Sequence, residues 1–172
     1  MGRKAFRTGA FQMTTKFLLD TNVWLDYYLD RSALHEQAVD FVRTAVAADA
    51  ALLTALPSVK DCYLLVQLEL KRMERAANGS ISESAASAIN AVAWSCVSSM
   101  RKLSLIVPSA ENDMIEALIM RDLHQDFEDN LVAAAALRAK ADYLVSSDKQ
   151  LIAHQPVPCI SLEDAIKCVK RV

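Results

Sequence analysis

Glycine and proline are scarce in this chain, at three and four of 172 residues. A fibrous repeat or a disordered, turn-rich linker would need far more of one or both, so neither class fits. No apolar run approaches the roughly 20 residues a membrane-spanning helix requires, so no membrane partner is expected. The opening "MGRKAFRTGAFQMTT" carries Arg3, Lys4 and Arg7 but no apolar stretch of signal-peptide length. Residues 1–15 therefore read as a flexible N-terminal tail rather than a secretory signal. Neither charge sign dominates: 19 basic against 21 acidic residues leave a formal net charge of −2, with no overall basic field. A nucleic acid, if bound, must be held through a local patch or through metal. Cysteine is sparse as well. Cys62, Cys96, Cys159 and Cys168 form no C-x-x-C pair and lie far in sequence from His35, His124 and His154. That spacing excludes a zinc site and a disulfide framework, and free thiols in a reducing cytoplasm are expected.

Apolar patterning is what the chain does have. At 53% hydrophobic over 172 residues it can bury one sizeable core, expected over residues 16–172. Short strand patterns occur at "KFLLD" (16–20), "ALLTA" (51–55), "LSLIV" (103–107), "DYLVSS" (142–147) and, more weakly, "VPCIS" (157–161). Helical periodicity fills the gaps, over 33–48, 58–77, 82–101, about 110–121, 127–141 and 162–170. Strands alternating with helices imply βαβ units. The expected fold is one three-layer α/β/α domain, Rossmann-like, with a mostly parallel central sheet of four to five short strands. In such sheets ligands bind at the carboxyl ends of the strands, near a topological switch point.

Acids fall repeatedly at such strand ends. Asp20 closes the first strand, and it can also cap a helix beginning at "TNVW". Asp61 sits in "PSVKDCYLLVQLELKR", where Ser58 could cap the helix with Asp61 at its third position. Leu64, Leu65 and Leu68 lie at i+3, i+4 and i+7 from Asp61, which places this carboxylate on an inward apolar stripe. Glu69, two turns on, reads as a flanking solvated group. In "HQDFEDNLVAAAALRAKA", Asp126 and Asp129 share a helix face, while Glu128 points a quarter-turn or more away. First-turn acids also complement a helix dipole. Ala133–Ala136 would let this helix lie close to a sheet. Asp148 follows "DYLVSS" as a turn residue or short-helix cap, whereas Asp142 falls at the opposite edge. Each local role is adequate singly. Gathered in one crevice, four or five carboxylates would repel and raise one another's pKa values, and two divalent cations would relieve that repulsion. Oxygen-only ligands suit Mg²⁺ or Mn²⁺, and two-metal carboxylate sites cleave phosphodiesters.

Asp20 in "LLDTNV", Asp61 in "PSVKDCYLL", Asp129 in "DFEDNLVAAAA" and Asp148 in "YLVSSD" resemble, in order and spacing, the acids of PIN-domain ribonucleases. The resemblance spans about residues 16–165, and chains of this size resemble VapC-type toxins of toxin–antitoxin pairs. It implies a PIN-like fold and a Mg²⁺- or Mn²⁺-dependent endoribonuclease leaving 3′-hydroxyl and 5′-phosphate ends. Asp20, Asp129 and Asp148 would hold metal, Asp61 would hold or orient a second ion or its water, and Asp126 would be an auxiliary ligand. Asn22 and Ser146 could order metal-bound water or strand-end backbone. It also implies an RNA substrate, an antitoxin protein inserting a segment near the acids, and a homodimer. Two departures are visible: Ser146-Ser147-Asp148 where Thr-Arg-Asp or Thr-x-Asp is common, and Asn130 where Ala is common. Lys71, Arg72 and Arg75, or Arg138 and Lys140, could track RNA phosphates, although outward, solvated cations explain any one of them. Two other classes remain. A non-catalytic PIN-like interaction module would bind no Mn²⁺. A phosphoaspartate phosphatase would carry a second acid at position 22, where this chain has Asn.

Overall fold

The computed structural model describes residues 14–154 and 156–170, so residues 1–13 of the expected tail lie outside the described part. Five strands, β1 (Lys16–Leu19), β2 (Ala51–Ala55), β3 (Leu105–Val107), β4 (Tyr143–Val145) and β5 (Cys159–Ile160), form one sheet in the order β3-β2-β1-β4-β5. Every pairing is parallel, so the sheet is wholly rather than mostly parallel. β1 is central and pairs with both β2 and β4. The chain winds outward through β2 and β3, then returns to the other side of β1 for β4 and β5. The reversal point therefore lies between β1 and β4, where loops leave in opposite directions and open a crevice.

Successive side chains of β1 point to opposite faces, and each face has its own apolar cluster. Phe17 and Leu19 enter one, with Val23, Trp24, Phe41, Val66 and Met100. Its helices are α1 (Thr21–Tyr28), α2 (His35–Ala47), α3 (Leu56–Asn78), α4 (Glu83–Leu103) and α8 (Leu162–Val169). Leu18 enters the other cluster, with Val107, Leu144, Leu151 and the run Val132–Ala136. That face is covered by α5 (Glu111–Ile119), α6 (Phe127–Arg138) and α7 (Lys149–His154). The three layers match the expected architecture.

The alanine run does what its size suggests. Ala133, Ala134, Ala135 and Ala136 are all buried, which brings the start of α6 close to the strand ends. The leucine run of α3 does not behave as expected. Leu64, Leu65 and Leu68 are 52%, 39% and 62% exposed, and the buried residues of α3 are Ser58, Cys62 and Val66. The core accepts the smaller side chains because α4 packs closely along this helix, and the bulkier ridge is left outside. The helix also begins earlier than the expected capping box. Ala55 is its N-cap, Pro57 lies in its first turn, and Ser58 is buried within it. Pro57 suits that position because the first-turn N–H groups have no helical partner.

Candidate active site

Parallel strands deliver their carboxyl ends to one edge, and the acids collect there. A cleft of about 200 Å³ is lined by Asp20, Asp61, Asp126, Glu128, Asp129 and Asp148, with Asn22, Leu65 and Val132 between them. All five acids singled out from the sequence meet there. Glu128, expected to point away, lines the cleft as well.

Asp20 lies at the N-cap position of α1, yet its side chain caps nothing. Its Oδ2 instead accepts a hydrogen bond from Ser146 Oγ at 2.8 Å. The Asp20 amide donates to the Val145 carbonyl at 3.0 Å, which fastens the end of β1 to β4. Only 2% exposed, the Asp20 carboxyl has its pKa pushed up from 3.8 to about 6. Burial is the main cause, the Asp129 and Asp148 charges add to it, and the Ser146 hydroxyl opposes it. Ser146 Oγ also accepts the Asp148 N–H at 3.0 Å, so one buried hydroxyl spans two of the acids.

Asp129 is raised too, chiefly by burial, with the Asp126 and Asp148 charges adding and a hydrogen bond from His124 opposing. Two acids keep local duties in addition to lining the cleft. Asp126 caps α6, with Oδ1 accepting from Glu128 N–H at 2.9 Å and Asp129 N–H at 3.2 Å. Asp148 Oδ1 accepts from Gln150 N–H at 2.7 Å at the start of α7. Asp61 has no capping role, since its helix starts five residues earlier. It reaches the cleft beside Leu65, four residues on, so the two share a side as expected, but the leucines are exposed there and not an inward stripe, while the Asp61 side chain is 13% exposed. The neighbouring Lys60 ammonium lies 3.0 Å from it. Asn22 accepts from Arg31 Nη2 at 3.3 Å. Glu69 lines the adjoining groove and is bonded to Arg72.

Two residues were missed by sequence reasoning. Asp26, 2% exposed within "VWLDYY", accepts from Ser32 Oγ at 3.0 Å, Ser147 Oγ at 3.2 Å and Arg31 Nε at 3.2 Å. It ties α1 to the Ser146–Asp148 turn. The signal was an acid set among aromatic and aliphatic neighbours at α1's buried face. His124, bonded to Asp129, carried no periodic signal, because it folds back from an irregular loop. Three cations considered for RNA are already engaged. Arg138 is held by Asp113 at 2.7 Å and by the Pro108 carbonyl, Arg72 by Glu69 at 3.0 Å, and Lys71 by Gln67 at 3.3 Å. All four cysteines are free.

Among the described residues, no group of three or more His, Cys, Asp or Glu side chains is drawn together tightly enough to hold a metal ion. The donor chemistry nevertheless fits a hard divalent cation. The cleft offers mainly carboxylate oxygens, and burial, with the neighbouring acids' charges adding to it, holds Asp20 and Asp129 above their ordinary range. A cation would remove both costs at once.

The family model described as PIN domain matches residues 16–150. No curated protein matches the sequence. Among solved structures, PAE2754 from Pyrobaculum aerophilum is similar with a TM-score of 0.61 and 14% identity, over 93% of this chain and 98% of that one. VapBC2 from Rickettsia felis, bound to a DNA fragment from its promoter, is similar with a TM-score of 0.59 and 11% identity, over 86% and 98% of the two chains. VapC20 from Mycobacterium tuberculosis, a toxin that cleaves the sarcin-ricin loop, is similar with a TM-score of 0.55 and 12% identity, over 80% and 93%. At such identities these neighbours speak to the fold, whereas the family model spans most of the sequence, and the chain belongs to the PIN domain family.

Proposed function

We propose that this protein is a metal-dependent endoribonuclease and the toxin of a toxin–antitoxin pair. The observation that carries the reading is the convergence of Asp20, Asp61, Asp126, Asp129 and Asp148 on one cleft at the sheet's reversal point. Asp20, Asp129 and Asp148 would hold Mg²⁺ or Mn²⁺, with Asp61 holding or orienting a second ion or its water and Asp126 auxiliary. Such an ion, when bound, activates water and neutralises charge on the reacting phosphate.

The chain's own residues supply the rest. Ser146 fixes the Asp20 carboxylate and, through the Asp148 N–H, the turn that carries Asp148. Asn22, held by Arg31, stands at the cleft wall where it can orient water. Leu65 and Val132 line the same wall and restrict solvent. Water adds to phosphorus, the bond to the ribose 3′-oxygen breaks, and the products carry 3′-hydroxyl and 5′-phosphate ends.

The partners belong to the same reading. Met114, Ile115, Leu118 and Ile119 on α5 are 49–66% exposed, which supports pairing of two copies. Leu64, Leu65 and Leu68 beside the cleft support an antitoxin that lays an apolar segment there. Two of the similar structures are a VapBC2 complex and a VapC20 toxin, and both support the toxin role. No helix among the described residues is long and apolar enough to cross a membrane, which is compatible with action in the cytoplasm. The test is cleavage of a short RNA by purified protein with Mn²⁺, with and without chelator. Metal-dependent cleavage giving 5′-phosphate ends is expected, and cleavage undiminished by chelation would overturn the metal reading.

A further inference from the structure

Resting on that reading of the cleft as a cation site, we propose that His124 is a positioning residue that fixes the Asp129 carboxylate for the cation. His124 follows the short 3₁₀ turn Met120–Asp122 and precedes α6. Its side chain is 9% exposed, and its Nε2 lies 2.8 Å from Asp129 Oδ2. An ionised carboxylate only accepts, so Nε2 carries the proton and donates.

The backbone that carries the ring is held on both sides of the residue. The His124 N–H donates to the Met120 carbonyl at 3.0 Å. The His124 carbonyl accepts from Asn130 Nδ2 at 2.7 Å, and Asn130, 1% exposed, also reaches the Ala117 carbonyl at 3.4 Å. Asn130 locks the loop that aims the imidazole.

A purely architectural purpose does not account for the contact. Asp126 already caps the N-terminus of α6, so His124 adds no partner for the orphan N–H groups there. His124 is also absent from the cleft wall, so it acts on Asp129 and not on substrate. What it does is choose between the two carboxylate oxygens. Oδ2 accepts the imidazole N–H, and no described residue gives Oδ1 a hydrogen bond. Losing a group that orients a metal ligand in this way typically costs about 10–100-fold in metal affinity.

The experiment is calorimetric titration of Mn²⁺ into the metal-free full-length protein and three variants, with the metal-free melting temperature measured for each. His124→Gln keeps an amide donor near the Nε2 position, His124→Asn places it too short to reach Asp129, and His124→Ala removes it. Mn²⁺ affinity is expected to fall about 10–100-fold in His124→Ala and His124→Asn, and to stay within about threefold of wild type in His124→Gln. If His124→Ala does not fold, the Asn and Gln pair decides the matter, because both keep a polar side chain and differ in reach. Equal affinity in wild type and His124→Asn, or a His124→Gln as weak as His124→Asn, overturns the positioning role while leaving the cation site standing. Absence of Mn²⁺ binding to wild type overturns the cation site itself, and the positioning role with it.

Discussion

At the amino end of the sheet Asp142 precedes β4, and its Oδ2 receives the Lys16 N–H at 2.7 Å. At the carboxyl end Asp148 follows the same strand and joins Asp20, Asp61, Asp126 and Asp129 around one cleft. The side chains are identical in chemistry and six residues apart in sequence. The first is matched by a backbone donor from the neighbouring strand, so it closes a local account and stitches β1 to β4. The second stands among acids whose charges oppose one another, and two of them, Asp20 and Asp129, are held above the ordinary carboxylate range. Strand polarity makes the difference. With all five strands parallel, the loops that leave their carboxyl ends share one edge, and at the reversal point between β1 and β4 they part to open the crevice in which these acids meet. Asp148 also accepts a backbone N–H, from Gln150, so what separates the two is the company of other acids and not the want of a partner.

The sharpest way to break this contrast is on the second acid. Asp61→Asn should slow RNA cleavage on the order of 10²-fold or more, comparable to losing one preorganised charge-stabilising group, with melting nearly unchanged. Glu69→Gln, in the adjoining groove and bonded to Arg72, should have little effect. A normal rate in Asp61→Asn with a dead Glu69→Gln would move the role along α3.

Next comes pH. The native, metal-free protein keeps a proton on Asp20 up to about pH 6, whereas the unfolded chain releases it near 3.8. The unfolded state thus binds fewer protons within that window, so this group makes stability fall as pH rises through it. Relative to Asp20→Asn, wild type should be equal near pH 4 and less stable by about 3 kcal/mol above pH 6. Denaturant unfolding of both proteins across that range checks it, and a constant difference would remove the cost of the buried Asp20 charge from the account. Divalent metal should reverse the penalty. At a hundredfold excess over its dissociation constant, Mn²⁺ should stabilise wild type by about 2.7 kcal/mol, roughly 5–10 °C in a domain of this size. Thermal melts should show less than half that shift in Asp129→Asn or Asp148→Asn, and equal shifts would place the metal elsewhere. The smallest effect belongs to the amino end, where Asp142→Asn should cost about 1 kcal/mol or less, since an amide oxygen still accepts the Lys16 N–H.

Much of this was legible in the sequence because it depended on period and order. Alternating β and α patterns required a parallel sheet, and acids after the first, second and fourth strand patterns converge if the first and fourth are neighbours. The sheet makes them so through the pairing of Leu18 with Leu144. The misreadings came from judging burial by hydrophobicity alone. Leu64, Leu65 and Leu68 form a more apolar ridge than Ser58, Cys62 and Val66, yet α4 and the sheet admit the smaller set. Helix α1 is short, and eight residues rich in aromatic and branched side chains have little intrinsic helicity. Burial of Val23, Trp24 and Leu25 supplies what propensity does not. Asp26 and His124 escaped notice for another reason. Their partners, Ser147 and Asp129, are set by loop geometry and have no periodic signature.

The central claim is that the carboxyl edge does chemistry and the amino edge does not. Matched preparations of wild type, Asp20→Asn and Asp142→Asn, each confirmed folded by melting, should be assayed on one short RNA in saturating Mn²⁺. The account predicts wild-type rates for Asp142→Asn and cleavage lost on the order of 10²–10³-fold for Asp20→Asn. Full activity in a folded Asp20→Asn protein would contradict it.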